Sequence, residues 1–226
     1  MQYDRYPLDM ATRSYHQMCP VARALDVVGE RWTLLVVREL MLGPKRFKEL
    51  MARLPAMGTN RLSERLKTLV AQGVVERCTL PPPADVAVYE LTALGEGLRP
   101  IVAGLASWGA QLPFDERVDP QSARAELIAL SLAAGSPREA SSGMHETYEF
   151  HVRDEHFHID VDDGEVVARS GAAAREPALV LTCDLPTFAR LAWGGLSPSQ
   201  ALRSGQARIA GRPTQLTRAF RVLAAA

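Results

Sequence analysis

Residues 45–73 read KRFKELMARLPAMGTNRLSERLKTLVAQG, and this stretch decides the fold of the first half of the chain. Its apolar residues recur at a helical spacing on both sides of a short break. Pro55 ends the first helical pattern, and Gly58 gives the break the conformational freedom of a turn. Thr59 can cap the helix that follows. The pattern therefore predicts two short helices joined by a tight turn.

The second of these helices has an apolar face and an opposite face that is polar and largely basic. Its predicted buried stripe consists of Leu62, Leu66, Leu69 and Val70. A helix-turn-helix places such a helix in the major groove, where basic side chains bind phosphates and Asn or Arg can read base edges. The predicted phosphate contacts are Lys45, Arg46, Lys48, Arg61, Arg65 and Lys67. The predicted base contacts are Thr59, Asn60, Arg61, Ser63 and Glu64.

The charge of this segment favours DNA binding, although the charge of the whole chain does not. The 226 residues carry 26 Lys and Arg against 26 Asp and Glu, which gives a net charge of zero. Residues 44–77 carry eight basic and three acidic side chains, hence a local charge of +5. Distribution matters more than the total because DNA meets one face of a protein. The alternative is a solvated helical hairpin inside an unrelated all-helical domain.

The segments that flank the two helices predict a winged domain. A helical pattern runs from Val21 to Leu40, and Gly29 bends or divides it. Two strand-like segments, residues 74–80 and 86–91, enclose the sequence PPPAD. Two strands and a turn directly after a recognition helix read as a β-hairpin wing that lies beside the DNA backbone.

Apolar stripes on the helices at both ends of this domain predict a homodimer. The later helix is capped by Thr92, and Pro100 kinks or divides it. A small winged domain cannot easily cover both stripes, so a second copy is the predicted partner. The predicted interface residues are Val21, Leu25, Trp32, Leu98, Ile101, Leu105 and Trp108. The alternative is that both stripes pack on the second half of the same chain.

Four segments resemble, in order, the HxlR family of winged helix-turn-helix regulators. They are CPVARALDVVGERWTLLVVREL from Cys19, GPKRFKEL from Gly43, NRLSERLKTLVAQGVVER from Asn60 and YELTALGEGLRPIVAGLASWG from Tyr89. The resemblance implies a cytoplasmic dimer that binds operator DNA. It also implies that Cys19 matches the cysteine with which some members sense oxidants or electrophiles, an ordinary half-buried cysteine being the alternative. The wing departs from the family, because Asp85 and Val86 stand where an arginine is often found.

The second half alternates strand and helix patterns typical of an α+β domain. After a predicted helix over residues 121–134, the segments TYEFHVRD, HFHIDVD, EVVARS and ALVLTCD read as strands. Ser197 caps a short helix whose first residue is Pro198. With 11 Arg, no Lys and 12 acids, residues 121–226 have a charge of −1 and are not expected to bind DNA.

The stretch LSPSQALRSGQARIAG from Leu196, with the segments on either side, resembles the end of sterol-carrier-protein-like domains. The resemblance implies helices packed over a sheet, with an apolar tunnel for a lipid or another hydrophobic ligand. The candidate tunnel residues are Tyr148, Phe150, Phe157, Phe188, Leu191, Trp193, Leu202, Leu216 and Phe220. Each of them is equally well explained as a core residue.

No arrangement of residues in the sequence points to catalysis or to a cofactor. His156 and His158 would share one face of a predicted strand, but such a pair is commoner as surface residues than as metal ligands. No cysteine pair has zinc spacing, and no glycine-rich phosphate loop or nucleophile elbow occurs. We therefore expect no enzymatic activity, no metal and no cofactor.

The remaining features of the sequence favour the cytoplasm. The start of the chain lacks the apolar core of a secretory signal, and no apolar run approaches the roughly 20 residues of a membrane helix. The three cysteines are odd in number and widely spaced, which argues against a disulfide framework and for a reducing compartment.

Together these patterns predict three segments. Residues 1–112 form a mainly α winged helix-turn-helix domain with a β-hairpin wing, 113–120 form a linker, and 121–226 form an α+β sterol-carrier-like domain. The predicted function is a homodimeric transcriptional regulator, most simply a repressor, controlled by a hydrophobic small molecule. Two alternatives stay open. One is a redox or electrophile sensor switched through Cys19, and the other is a lipid-carrying or partner-binding protein whose winged domain mainly dimerises.

Overall fold

The computed structural model describes residues 14–113 and 119–223. Contacts between residues divide the chain after Val102 into a first and a second compact unit. Most of the predicted linker, residues 113–120, lies outside the described residues.

Among the described residues, the chain from the start of the first unit to Gly109 forms six helices and a hairpin. The elements are α1 (Pro20–Val28), α2 (Thr33–Met41), α3 (Phe47–Arg53), α4 (Thr59–Ala71), β1 (Val75–Thr79), β2 (Ala87–Leu91), α5 (Ala93–Glu96) and α6 (Arg99–Gly109). Helix α6 begins in the first unit and continues past its boundary at Val102. Gly29 follows α1, and Pro100 is the second residue of α6. The predicted divisions of the chain at Gly29 and near Pro100 are therefore both confirmed. At Pro100 the reason is that a proline fits the first turn of a helix but not its interior.

The apolar stripes of α3 and α4 form the core of the first unit. Leu50 on α3 and the three leucines of α4 are buried, together with Val36 of α2 and Val88 of β2. This confirms the predicted pair of helices. Val70 is exposed, contrary to the prediction, because it lies on the margin of the stripe rather than at its centre.

The predicted wing is a two-stranded antiparallel hairpin. β1 pairs with β2 from Val75 opposite Leu91 to Thr79 opposite Ala87. The Thr92 hydroxyl donates a hydrogen bond to the carbonyl oxygen of Gly73 and accepts one from the backbone N–H of Gly95. Thr92 therefore caps α5, as predicted, and also ties the start of that helix to the end of α4.

The second unit is an α+β domain, as predicted. Its elements after α6 are α7 (Ala125–Gly135), β3 (His145–Val152), β4 (Glu155–Asp162), β5 (Glu165–Ser170), β6 (Leu179–Cys183), α8 (Leu185–Ala192), α9 (Pro198–Arg203), β7 (Ala207–Ala210) and α10 (Pro213–Leu223). The five strands form one sheet in the order β5-β4-β3-β6-β7, with β3 and β6 parallel and the other pairs antiparallel. The predicted Ser197 cap of α9 is confirmed. Helix α7 packs on β4 and β5, and α10 packs on β6.

Candidate nucleic-acid interface

Helix α4 begins at a glycine turn. Gly58 is the residue that precedes the helix, and its φ of 76° lies in the left-handed region that favours glycine. Thr59 is the first residue of the helix, so the prediction that it caps α4 is wrong. Because no side chain of the described residues caps this end of α4, its first backbone N–H groups stay available to an acceptor such as a phosphate oxygen.

An open hollow adjoins the start of α4. It has a volume of about 600 Å³ and is lined by residues 55–61, which include most of the turn between α3 and α4. The hollow gives a partner room to approach the exposed N–H groups and the side chains of the first turn of the helix.

The polar face of α4 is exposed along its length. The exposed residues are Thr59, Asn60, Arg61, Ser63, Glu64 and Lys67, and they include every predicted base contact. Burial of the leucines on the opposite face fixes which side of α4 faces outward. The helix thus carries donors, acceptors and two cations on a surface that a DNA groove can reach.

Two of the predicted phosphate contacts have acidic partners within the first unit. A nitrogen of the Arg65 side chain lies 3.4 Å from a carboxylate oxygen of Glu30, which follows α1 in the chain. The Glu49 carboxylate accepts a 2.6 Å hydrogen bond from the backbone N–H of Arg46 and lies 3.9 Å from its Nε. The Arg65–Glu30 pair could not be predicted from the sequence, because the two residues are far apart in the chain and meet only after folding.

Lys45 has a structural role that its sequence neighbourhood did not indicate. It is 6% exposed, and its Nζ donates hydrogen bonds of 3.4 and 3.3 Å to the carbonyl oxygens of Leu42 and Gly43. Its backbone also exchanges two hydrogen bonds with Tyr89 of β2. The burial corrects the prediction that Lys45 binds phosphate. Its ammonium instead satisfies carbonyl groups at the end of α2, where a cation is favoured.

Replacing Lys45 and Lys48 separately by Ala is expected to separate a structural lysine from a DNA-binding one. Lys45→Ala should lower the free energy of unfolding by about 1–3 kcal/mol, because buried carbonyl groups lose a donor. Exposed Lys48→Ala should leave stability within about 0.5 kcal/mol and reduce the salt dependence of DNA binding by about one unit of slope. Urea denaturation and a binding series over salt concentration check both. Equal salt slopes for Lys48→Ala and the unchanged chain would contradict the assignment.

The tip of the wing carries no basic side chain. Residues 81–85 are exposed and read PPPAD, so their only charge is that of Asp85. Arg77 on β1 is the exposed cation nearest to them in the chain. The positive charge of the candidate interface is therefore concentrated on α3, α4 and the start of the wing.

The predicted dimer residues form exposed apolar stripes. On α1, Val21 is 66% exposed, and on α6 Ile101 and Trp108 are 54% and 59% exposed. Leu25 and Leu105 are also exposed, whereas Trp32 and Leu98 are half-buried. Residues 101, 105 and 108 recur at steps of four and three, so they share one side of α6. This side is an apolar surface of the kind that a partner covers.

The candidate tunnel residues make up the interior of the second unit, with one exception. The rings of Phe150, Phe157, Phe188 and Phe220 pack together, with centroids 5.2–6.3 Å apart. Tyr148, Leu191 and Leu216 are buried, and Leu202 is half-buried. Trp193 is 70% exposed, which contradicts its prediction as a lining residue. It follows the last turn of α8 and so lies beyond the buried stripe of that helix.

The three cysteines differ in exposure and in their surroundings. Cys19 is exposed and precedes the first residue of α1. A hydrogen bond of 3.1 Å to Glu90 raises the pKa of Cys78, and burial raises the pKa of Cys183 to about 12. Cys78 and Cys183 are therefore held as thiols, and Cys19 is the cysteine that a reagent in solution can reach most easily.

The described part of the chain contains neither a membrane-spanning helix nor a cluster of metal-binding side chains. Over residues 14–113 and 119–223, no helix is both long and apolar enough to cross a bilayer. Over the same residues, no group of three or more His, Cys, Asp or Glu side chains could hold a metal ion.

Comparison with known proteins gives separate matches for the two halves. Residues 127–224 match the SCP-2 sterol transfer family, in agreement with the predicted sterol-carrier-like domain. Residues 27–116 match the HxlR-like helix-turn-helix family. The second match contains α2 to α6, and therefore the whole candidate interface.

Individual relatives match the first half over most of their own length. The chain is 38% identical over 96 residues to the uncharacterized HTH-type transcriptional regulator YvaP of Bacillus subtilis. The matched residues make up 42% of this chain and 89% of YvaP. It is 38% identical over 95 residues to the HTH-type transcriptional regulator YodB of the same organism, covering 42% of this chain and 85% of YodB. A solved structure of reduced YodB is 38% identical, with a TM-score of 0.38, and covers 46% of this chain and all of that one. The chain therefore belongs to the HxlR-like helix-turn-helix family of transcriptional regulators, to whose winged domain it adds a sterol-carrier-like domain.

Proposed function

We propose that the chain works as a homodimer that binds operator DNA through its two copies of α4 and represses transcription there. The observation that carries this proposal is the exposed polar face of α4, with Asn60, Arg61 and Lys67 opposite the buried leucines. In a two-fold dimer, two such helices enter successive major grooves about 34 Å apart. Repression is the simplest outcome, since a bound dimer excludes other proteins from the same DNA.

Footprinting on the DNA around the gene that encodes the chain tests this proposal. We expect a protected palindrome whose half-site centres are separated by about 10–10.5 base pairs or a multiple of that distance. Transcription from the same fragment in vitro should fall when the protein is added. A chain that protects no palindrome would overturn the proposal in favour of a lipid-carrying or partner-binding protein.

The sterol-carrier-like domain supports a hydrophobic small molecule as the effector. Its interior is apolar and aromatic, so a ligand that enters must part rings that now contact one another. Such a ligand controls DNA binding only if it binds one arrangement of the dimer more tightly than another. Release of the footprint by a long-chain fatty acid, used as the probe, would support this part of the proposal.

A second candidate function is redox or electrophile sensing through Cys19. The observation that favours it is that Cys19 is exposed at the start of α1, the helix that carries part of the proposed dimer surface. An adduct at this position would change the surface next to that interface. The other two cysteines are held as thiols by Glu90 and by burial.

Treatment with N-ethylmaleimide is expected to weaken operator binding if Cys19 is the sensor. A coupling of 1–3 kcal/mol between the two sites corresponds to a loss of about 5- to 150-fold in affinity. Cys19→Ser should keep its affinity after treatment, whereas Cys78→Ser, the matched control, should lose it. Mass spectrometry locates the adduct. An adduct on Cys19 without any change in affinity would rule out this function.

A further inference from the structure

The charges of the second unit are separated along its sequence. Residues 185–226 contain six arginines, no lysine and no acid, which gives a charge of +6. All 12 acids of residues 121–226 precede Leu185. The overall charge of −1 therefore conceals a strongly basic segment and a strongly acidic one.

Folding places most of the basic and most of the acidic residues at different parts of the sheet, although Arg218 of α10 pairs with Glu146 of β3. The basic segment supplies α8, α9, β7 and α10, and α9 packs on both β7 and α10. β7 forms one edge of the sheet, whereas β3, β4 and β5, which with their turns carry most of the acids, form the other side. The second unit thus has a basic edge at β7 and an acidic edge at β5.

Three arginines at the basic edge are exposed and form no ion pair with any acid among residues 14–113 and 119–223. They are Arg203 at the end of α9, which packs on β7, Arg208 on β7, and Arg212, which directly follows β7, and together we call them the β7 surface. Among the described residues of the basic segment, Arg218 is the arginine that forms an ion pair, with Glu146. Like charges that no acid neutralises repel one another, so an anionic partner stabilises this surface.

We propose that the β7 surface binds the phosphate backbone of DNA next to the operator, an inference that rests on the proposed function. A guanidinium group suits this ligand, because its planar set of donors matches the oxygens of a phosphate. The second unit is tethered to the DNA-binding unit by the same chain. When the first unit is on its operator, the second is held at high effective concentration near the flanking DNA.

A second copy of the chain is a weaker candidate for this partner. The acidic turn between β4 and β5, with Asp162, Asp163 and Glu165, would offer complementary charge. Such a contact joins two different surfaces, so each molecule keeps one of them free to bind a further copy. The molecules then assemble into an open filament unless the rotation between them closes a ring. DNA accounts for the same positive charge without that consequence.

Binding of the full chain to a short and a long operator duplex tests this inference. The short duplex ends at the footprint, and the long one carries about 15 further base pairs on each side. The variant Arg208→Gln/Arg212→Gln is compared with Arg138→Gln/Arg169→Gln, which removes two exposed arginines from elsewhere in the unit. On the long duplex we expect the first variant to lose about two units of salt slope and roughly 10- to 100-fold in affinity at 0.1 M salt. The control variant should match the unchanged chain.

The outcomes separate this inference from the proposed function. If the unchanged chain binds the short duplex specifically, but the two variants are equal on the long one, the inference fails while the proposed function stands. If the unchanged chain binds neither duplex specifically, both fail. A loss of self-association in the Arg208→Gln/Arg212→Gln variant without DNA, seen by sedimentation, would overturn the inference in favour of the second copy.

Discussion

Placing two carboxylates on the apolar side of α6, by Ile101→Glu with Leu105→Glu, is expected to turn the proposed dimer into a monomer. Both side chains are exposed in a single chain and lie one turn apart on the same side of the helix. Burying the charges in a dimer would cost more than the lost apolar contacts. A monomer engages one half-site at a time, so operator affinity should fall by about 10²- to 10⁴-fold. Sedimentation and gel-shift titration measure the two effects.

Ala106→Glu with Ser107→Glu is the matched control for this experiment. These positions are exposed on the same helix, but each is turned about 130° from the centre of the apolar stripe at 100° per residue. The control should stay dimeric and keep its operator affinity. A stripe variant that sediments as a dimer would show that α6 does not form the interface.

The second large effect is expected at Asn60 on the first turn of α4. Asn60→Ala should cost about 1–3 kcal/mol of binding on the preferred operator and almost nothing on unrelated DNA, because an amide reads the edge of a base. Lys67→Ala should weaken binding to all sequences alike and lower the salt slope by about one, because an ammonium binds phosphate. Both side chains are exposed, so neither variant should lose more than about 0.5 kcal/mol of stability.

Titrations of both variants against operator and unrelated duplexes, over a series of salt concentrations, distinguish these roles. Each variant serves as the control for the other, because the two substitutions are on the same helix and both side chains are exposed. The assignments fail if the ratio of operator to unrelated affinity is the same for Asn60→Ala and Lys67→Ala. An effect of both variants on stability alone would place the two side chains outside the DNA contact.

Much of the fold could be predicted from local patterns. The break at Gly58, the division at Pro100 and the caps at Thr92 and Ser197 depend on the backbone preferences of a few neighbouring residues. The alternation of apolar residues was enough to place β3 and β4, because one face of the sheet is buried. The order of the five strands was not predictable in this way, because it depends on pairing between distant segments.

The candidate interface shows the same division between local and distant information. The exposed face of α4 follows from helical periodicity, and the structure agrees at Asn60, Arg61 and Lys67. Lys45 lies in the same basic segment, but it is buried because its backbone pairs with Tyr89 of the wing. A count of charges along the sequence cannot distinguish Lys45 from Arg61 and Lys67, because the count does not show which side chains are buried.

The sequence by itself determined the two-part architecture, the helix-turn-helix and the membership in a family of DNA-binding regulators. These properties depend on residue type and short spacing, which a linear chain records directly. Only the tertiary structure decided which charges are available to a partner. It buried Lys45, paired Arg65 with Glu30 and placed three arginines that pair with no described acid at the β7 edge. Exposure and pairing are properties of three-dimensional neighbours, and those neighbours come from segments that are distant in the chain.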